Sequence, residues 1–173
     1  MRLEMKHGKA TYLTPATPDD AIGITDLREA VAKTLTERHG EGLWSRGGTL
    51  RSVLFDMRRS KVFVVREGER VIASLALGKR KPWAIDPSYF TPCARALYLT
   101  SMAVTPDIQR GGVGRQCIDE ARKIASEWSA DMIRLDAFDA PAGAGGFYAK
   151  CGFRETGRVS YRGCPLIYYE VAV

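Results

Sequence analysis

Between residues 99 and 114 the chain reads Leu99-Thr100-Ser101-Met102-Ala103-Val104-Thr105-Pro106-Asp107-Ile108-Gln109-Arg110-Gly111-Gly112-Val113-Gly114. An apolar run passes through a glycine-rich turn into a periodic segment, the pattern of a strand that opens a helix. The first N–H groups of a helix have no internal partner and carry about half a positive charge, so such a turn suits a phosphate. Glycine lets the backbone approach a ligand closely, and Arg110 and Arg115 can add charge-assisted bonds. Two nucleotide signatures fail on spacing. No Gly-Lys-Ser or Gly-Lys-Thr occurs, and Gly112-Val113-Gly114 is followed by Cys117 where a dinucleotide fingerprint needs glycine. Metal chemistry finds little support: Cys93, Cys117, Cys151 and Cys164 form no C-x-x-C, and only His7 and His39 could join them. The thiols read as reduced, and the compartment as cytoplasmic.

The elements that position this segment follow from periodicity. Lys9 to Leu13 reads as a first strand. Ile24, Leu27, Val31 and Leu35 mark one face of a helix begun near Asp19-Asp20, and Leu50, Val53, Leu54 and Met57 a second, shorter one. Lys61 to Arg66 and Val71 to Leu77 flank the turn signal Glu67-Gly68-Glu69. Ala96 to Val104 is a fourth strand, and a helix from the glycines to about Ala130 buries Cys117, Ile118, Ala121, Ile124, Ala125 and Trp128. Met132 to Ala137 is a fifth strand, Pro141 to Lys150 a short helix, Phe153-Arg154 the start of a sixth strand and Leu166 to Val173 a seventh. The helix between the fourth and fifth strands makes that pair parallel while hairpins elsewhere are antiparallel. The expected fold is α/β, one domain over residues 1–173, with a mixed, largely antiparallel sheet of six to seven strands and about four helices. The 173 residues are 45% apolar and 27% charged, as in a globular protein, and no apolar run is long enough to span a membrane. The N-terminus shows no signal-peptide core. Lys plus Arg is 26 against 20 for Asp plus Glu; the net +6 suits a phosphate-bearing partner or a plain basic surface.

Gln109-Arg110-Gly111-Gly112-Val113-Gly114 resembles the Q/R-x-x-G-x-G/A motif of the GCN5-related N-acetyltransferases, and Phe147-Tyr148-Ala149-Lys150-Cys151-Gly152-Phe153 is similar to their F-Y-x-x-x-G-F. The two stand 34 residues apart, from Gly114 to Tyr148, with a helix, a strand and a helix between them. The likeness is sharp over residues 96–157 and unspecific over 9–95. It implies acetyl-CoA as cosubstrate, with no metal, and an amine-bearing acceptor, a small molecule or a peptide terminus. Backbone groups of Met102 and Val104 would pair with the pantetheine arm. The N–H groups of Arg110, Gly111, Gly112, Val113, Gly114 and Arg115 would hold the pyrophosphate, and Gln109 would belong to the same cofactor site. Tyr148 would protonate the leaving thiolate; the bland alternative makes it a core aromatic beside Phe147 and Phe153. Many relatives carry Asn seven residues before that Tyr, where this chain has Pro141. Gly143, Gly145 and Gly146 weaken the helix by about 1 kcal/mol each relative to Ala, which leaves close cofactor packing and mobility both open.

Direct transfer needs a neutral amine, a donor near Val104 for the developing oxyanion, and a base. The fourth strand has no carboxylate. Asp136 and Asp139 are the nearest acidic candidates, with a water relay equally open. The loops around Trp44 and from Gly78 to Arg95 (Lys79-Arg80-Lys81, Trp83, Tyr89, Phe90) would build the acceptor site. Two other classes compete: a silent acyl-CoA-binding sensor, and a nucleic-acid binder, which the absence of an aromatic-rich RNA motif disfavours. The oligomeric expectation is monomer or homodimer.

Overall fold

Residues 12–173 are described by a computed structural model. In chain order the elements are β1 (Thr14–Pro15), α1 (Ala21–His39), α2 (Leu50–Arg59), β2 (Lys61–Glu67), β3 (Arg70–Gly78), β4 (Ala96–Val104), α3 (Val113–Glu127), β5 (Met132–Phe138), α4 (Gly145–Lys150), β6 (Arg154–Tyr161) and β7 (Cys164–Ala172). The seven strands form one sheet ordered β1-β2-β3-β4-β5-β7-β6. Only β4 and β5 run parallel; every other neighbouring pair is antiparallel.

Local chemistry sets the boundaries. Asp20 receives the Thr17 N–H at 2.7 Å and pairs with Arg66 of β2, so it both starts α1 and ties it to the sheet. Gly40, at φ +77°, ends that helix. Thr49 and Ser52 cap each other reciprocally at the head of α2. Gly68 at φ +60° turns the β2–β3 hairpin, and Arg162 and Gly163, also at positive φ, turn β6 into β7. One face of the sheet packs on α3 and α4 through Cys117, Ile118, Ala121, Leu135 and Tyr148. The other is covered by α1 and α2 over β2–β3, and by Ile85 and Phe90 of the 79–95 segment over β4 and β7.

Two expected boundaries shift. The edge strand is Thr14–Pro15, paired with Phe63 and Val64; Lys9 to Thr11 of the expected first strand lie outside the described residues. The last helix begins at Gly145 rather than Pro141. A Cβ on Gly143 would stand 1.9 Å from the Phe138 carbonyl oxygen, so residues 141–144 fold as a turn tight against β5.

Candidate active site

The parallel pairing of β4 and β5 covers only Ala96–Tyr98 opposite Met132–Arg134, and beyond it the strands part. One extra residue enters β4 at that level. Ser74 pairs with Ala103 but Ala76 with Thr100, three steps on β4 against two on β3. This is a β-bulge, and Ser101 within it sits at φ +54°. Leu97 and Leu99 before the bulge, and Met102 and Val104 after it, thereby all pack on the α3 face. The Thr105 N–H donates to Ile72 O of β3 at 2.9 Å. By strand alternation the backbone groups of Met102 and Val104 then point away from β3, into the opening where β5 no longer pairs.

The glycine turn closes the upper end of that opening. Gln109 Nε2 donates to Val104 O at 2.9 Å and folds the turn back on its strand. Arg110 at φ +67° and Gly112 at φ +89° bring two left-handed residues into the turn, a backbone that can bend successive N–H groups toward one anion. The first N–H groups of α3, from Val113 on, have no helical partner, and Gly112 offers no side-chain cap. A Cβ on Gly114 would meet the Phe147 ring at 3.1 Å, so this glycine lets α3 and α4 approach. The side chain of Arg115 donates to the Lys150 carbonyl at 3.0 Å, which ties it toward α4, and its backbone N–H lies in the first turn of α3. Arg110 is exposed. A pyrophosphate on residues 110–115 and an extended amide chain along Met102–Val104 fit this cradle.

Tyr148 lies buried in α4, edge-on to Phe147 and Phe153. Burial, and next the Asp136 charge, push its hydroxyl well above the usual phenol value, so it stays protonated. A cavity of about 500 Å³ opens where the end of β5 meets α4, lined by Phe138, Asp139, Gly145 and Tyr169 among others. Gly145 is needed there because a Cβ would stand 2.4 Å from the Tyr169 hydroxyl oxygen. The glycines at 143 and 145 thus serve packing within the protein, whereas Gly146 has nothing within 4 Å.

The two acidic candidates part company. Asp139 is engaged: its N–H donates to Pro165 O at 2.9 Å and its carboxylate pairs with Arg158 at 3.2 Å. Asp136 has no ion-pair partner among the described residues, and burial raises its pKa above the ordinary carboxylate value. It shares a β5 face with Phe138, which meets the Trp44 ring edge-on at 6.2 Å. The α1–α2 loop therefore reaches across the opening to β5. The 79–95 segment behaves differently from expectation. Ile85 and Phe90 are core, Tyr89 packs on Tyr168, and Trp83 is 78% exposed and walls nothing.

Sequence reasoning passed over the residues that pin this segment. Tyr168 donates to Ala84 O and receives the Asp86 N–H at 3.1 Å. Glu170, 1% exposed, accepts from Thr91 Oγ1 at 2.5 Å and from Arg154. Arg134 donates to Thr91 O at 2.7 Å and lies over the Phe90 ring. The available signal was a charge flanked by apolar residues within a strand, Arg134 between Ile133 and Leu135, Glu170 between Tyr169 and Val171. Asp56 and Ser101, bonded at 3.1 Å below the bulge, carried no signal.

A search of curated proteins returns no match. Among solved structures, a GNAT-family acetyltransferase from Listeria monocytogenes is 22% identical, with a TM-score of 0.73 over 94% of this chain and 95% of its own. A Salmonella typhimurium acetyltransferase-type protein, solved with its cofactor acetyl-CoA, is 19% identical, with a TM-score of 0.65 over 94% of each chain. The ribosomal-protein-S18-alanine N-acetyltransferase of Escherichia coli is 13% identical, with a TM-score of 0.68 over 94% of each. These likenesses establish a shared fold. The family described as the acetyltransferase (GNAT) family matches residues 25–153, and with the sheet parted at β4–β5 and the glycine turn above it, the chain belongs to that family.

Proposed function

We propose that the protein moves an acetyl group from acetyl-CoA to a primary amine by direct transfer. The observation that carries this reading is the β4 edge. Backbone groups of Met102 and Val104 face an opening that ends in a helix N-terminus, with Tyr148 on one side and Asp136 on the other. Residues 110–115 would hold the pyrophosphate through their N–H groups, and Met102 and Val104 the pantetheine amides. Bound there, acetyl-CoA supplies an acyl group activated as a thioester.

The residues of this chain do the rest. Asp136 takes a proton from the incoming ammonium, leaving the neutral amine that can attack. An N–H at the bulge stabilises charge on the carbonyl oxygen as the C–N bond forms. Tyr148 Oη gives its proton to sulfur as the C–S bond breaks and regains one from water, to which the second amine proton passes. Amine and thioester become amide and thiol. The raised pKa of Asp136 makes it a better proton acceptor than an ordinary surface carboxylate, and the protonated state of Tyr148 is the one a general acid needs. The test is release of CoA thiol from acetyl-CoA with a panel of primary amines. Turnover that depends on the amine supports transfer. Tight acetyl-CoA binding with no turnover by any amine would favour the second reading, a silent acyl-CoA sensor, which draws on the absence of a carboxylate from β4.

A further inference from the structure

Ser101 is one of four non-glycine residues at positive φ among the described residues, and it occupies the β4 bulge. A left-handed conformation is strained for a residue with a Cβ. The strain aims its hydroxyl at α2, where Ser101 Oγ donates to Asp56 Oδ2 at 3.1 Å. The same oxygen accepts from Arg28 Nη2 of α1 at 2.9 Å. Three elements therefore converge on one carboxylate oxygen beneath the bulge. Asp56 Oδ1 has no hydrogen bond among the described residues. Arg28 is mostly buried, roofed by Gly48, and its Nε, sealed from solvent, has no partner. A guanidinium kept so deep with a donor unmatched is a poor stabilising device but a firm way of fixing a carboxylate in place.

The position of this trio matters. Tyr98 pairs with Arg134 across β4 and β5; Ser101 lies three residues further along one strand and Asp136 two further along the other. The two side chains thus stand at about the same level on opposite banks of the opening, and both belong to its α1–α2 face. One carboxylate is paired to an arginine and bonded to the bulge; the other is without a counter-ion among the described residues.

We propose that Asp56, fixed by Arg28 and Ser101, is the anionic subsite that receives the acceptor as an ammonium ion, across the opening from the base. This rests on the acetyl-transfer reading and narrows its substrate class to amines that are cationic at neutral pH, such as aliphatic amines and peptide lysines, against neutral aryl amines. Asp56 binds through Oδ1, and Ser101 Oγ adds a contact to the same ammonium. No carboxylate on β4 is then required, because α2 delivers one to the bulge.

The test uses n-butylamine and aniline as acceptors. Asp56→Asn keeps the size of the side chain and removes its charge. It is expected to raise KM for n-butylamine by about 10-fold or more, the loss of one charge-assisted bond. It should leave KM for acetyl-CoA and kcat at saturating amine within about threefold, and abolish the preference for n-butylamine over aniline. Ser101→Ala should raise the same KM by a smaller factor, and covers the case in which Asp56→Asn fails to fold. An unchanged amine KM in both variants, or a rise matched by KM for acetyl-CoA, overturns the proposal. Should the native protein acetylate no amine, the acetyl-transfer reading fails, and a binding experiment still decides the subsite. Titrating n-butylammonium into ¹⁵N-labelled protein should shift the Asp56 and Ser101 amide resonances while n-butanol does not. Equal shifts with the alcohol, or none with the ammonium, reject it.

Discussion

On the α3 side of the β4–β5 opening, the groups proposed to meet a ligand belong, Tyr148 apart, to the backbone: the Met102 and Val104 edges, the turn from Gln109 to Gly112 and the first N–H groups of α3. On the α1–α2 side they are side chains drawn from four elements: Trp44, Asp56, Ser101 and Asp136. Backbone recognition depends on conformation and on glycine, which any sequence must satisfy locally. Side-chain recognition can be rebuilt at single positions. The first side suits a constant cosubstrate, the second an acceptor that differs from one protein to another.

If that division holds, the greatest damage comes from the backbone side. Gly112→Glu forces a Cβ to φ +89° and places a carboxylate at a helix N-terminus. Acetyl-CoA binding, measured by calorimetry, should weaken by roughly 100-fold or more while the protein still folds. Undiminished affinity in a folded variant would break the comparison at its root. Tyr148→Phe comes next, with kcat down about 100-fold and little change in acetyl-CoA affinity. An unchanged rate with every amine returns Tyr148 to the core alone.

Asp136→Asn should lower kcat by roughly 10- to 100-fold, and a pH–rate profile should lose its acid limb. In the native protein that limb lies above the ordinary carboxylate range, because burial raises this pKa and the base is lost as pH falls through the raised value. The stability effect has the opposite sign. A carboxyl whose pKa is higher folded than unfolded favours folding only when protonated, so its charge costs stability above both values. Asp136→Asn should therefore raise Tm at pH 7 while activity falls. The smallest effects separate two tryptophans. Trp44→Ala should raise the amine KM by about fivefold, as an aromatic wall lost from the opening. Trp83→Ala should change stability by no more than about 0.5 kcal/mol and leave both KM values alone. An acceptor effect at Trp83 would restore the 79–95 loop as a pocket wall.

The same contrast explains how much was legible in the sequence. Among the described residues, periodicity located all four α-helices and six of the seven strands, because each is a local pattern of burial. The residues proposed for the backbone side sit in one continuous motif, Met102 to Arg115, which a single stretch of sequence presents together. The order β5-β7-β6 was not readable, since nothing local marks β7 as the strand that slips between its neighbours. Nor was the proposed acceptor face. Arg28, Asp56 and Ser101 stand far apart in the chain, and only tertiary packing unites them. Trp83 misled for a related reason: a loop's aromatics are equally able to fill a core, as Phe90 does, or to face water.

β7 carries a consequence for how the chain is made. Residues 164–172 emerge from the ribosome after everything they complete. Until then β5 has no antiparallel partner and β6 has no neighbour, and the hydroxyl and carboxylate that pin the 79–95 loop, Tyr168 and Glu170, do not yet exist. The nascent chain must hold a bare β5 edge open while about 34 further residues, 139 to 172, are synthesised, at roughly 5–20 residues per second. For those seconds the unpaired strand is the part of the molecule most exposed to mispairing with another chain.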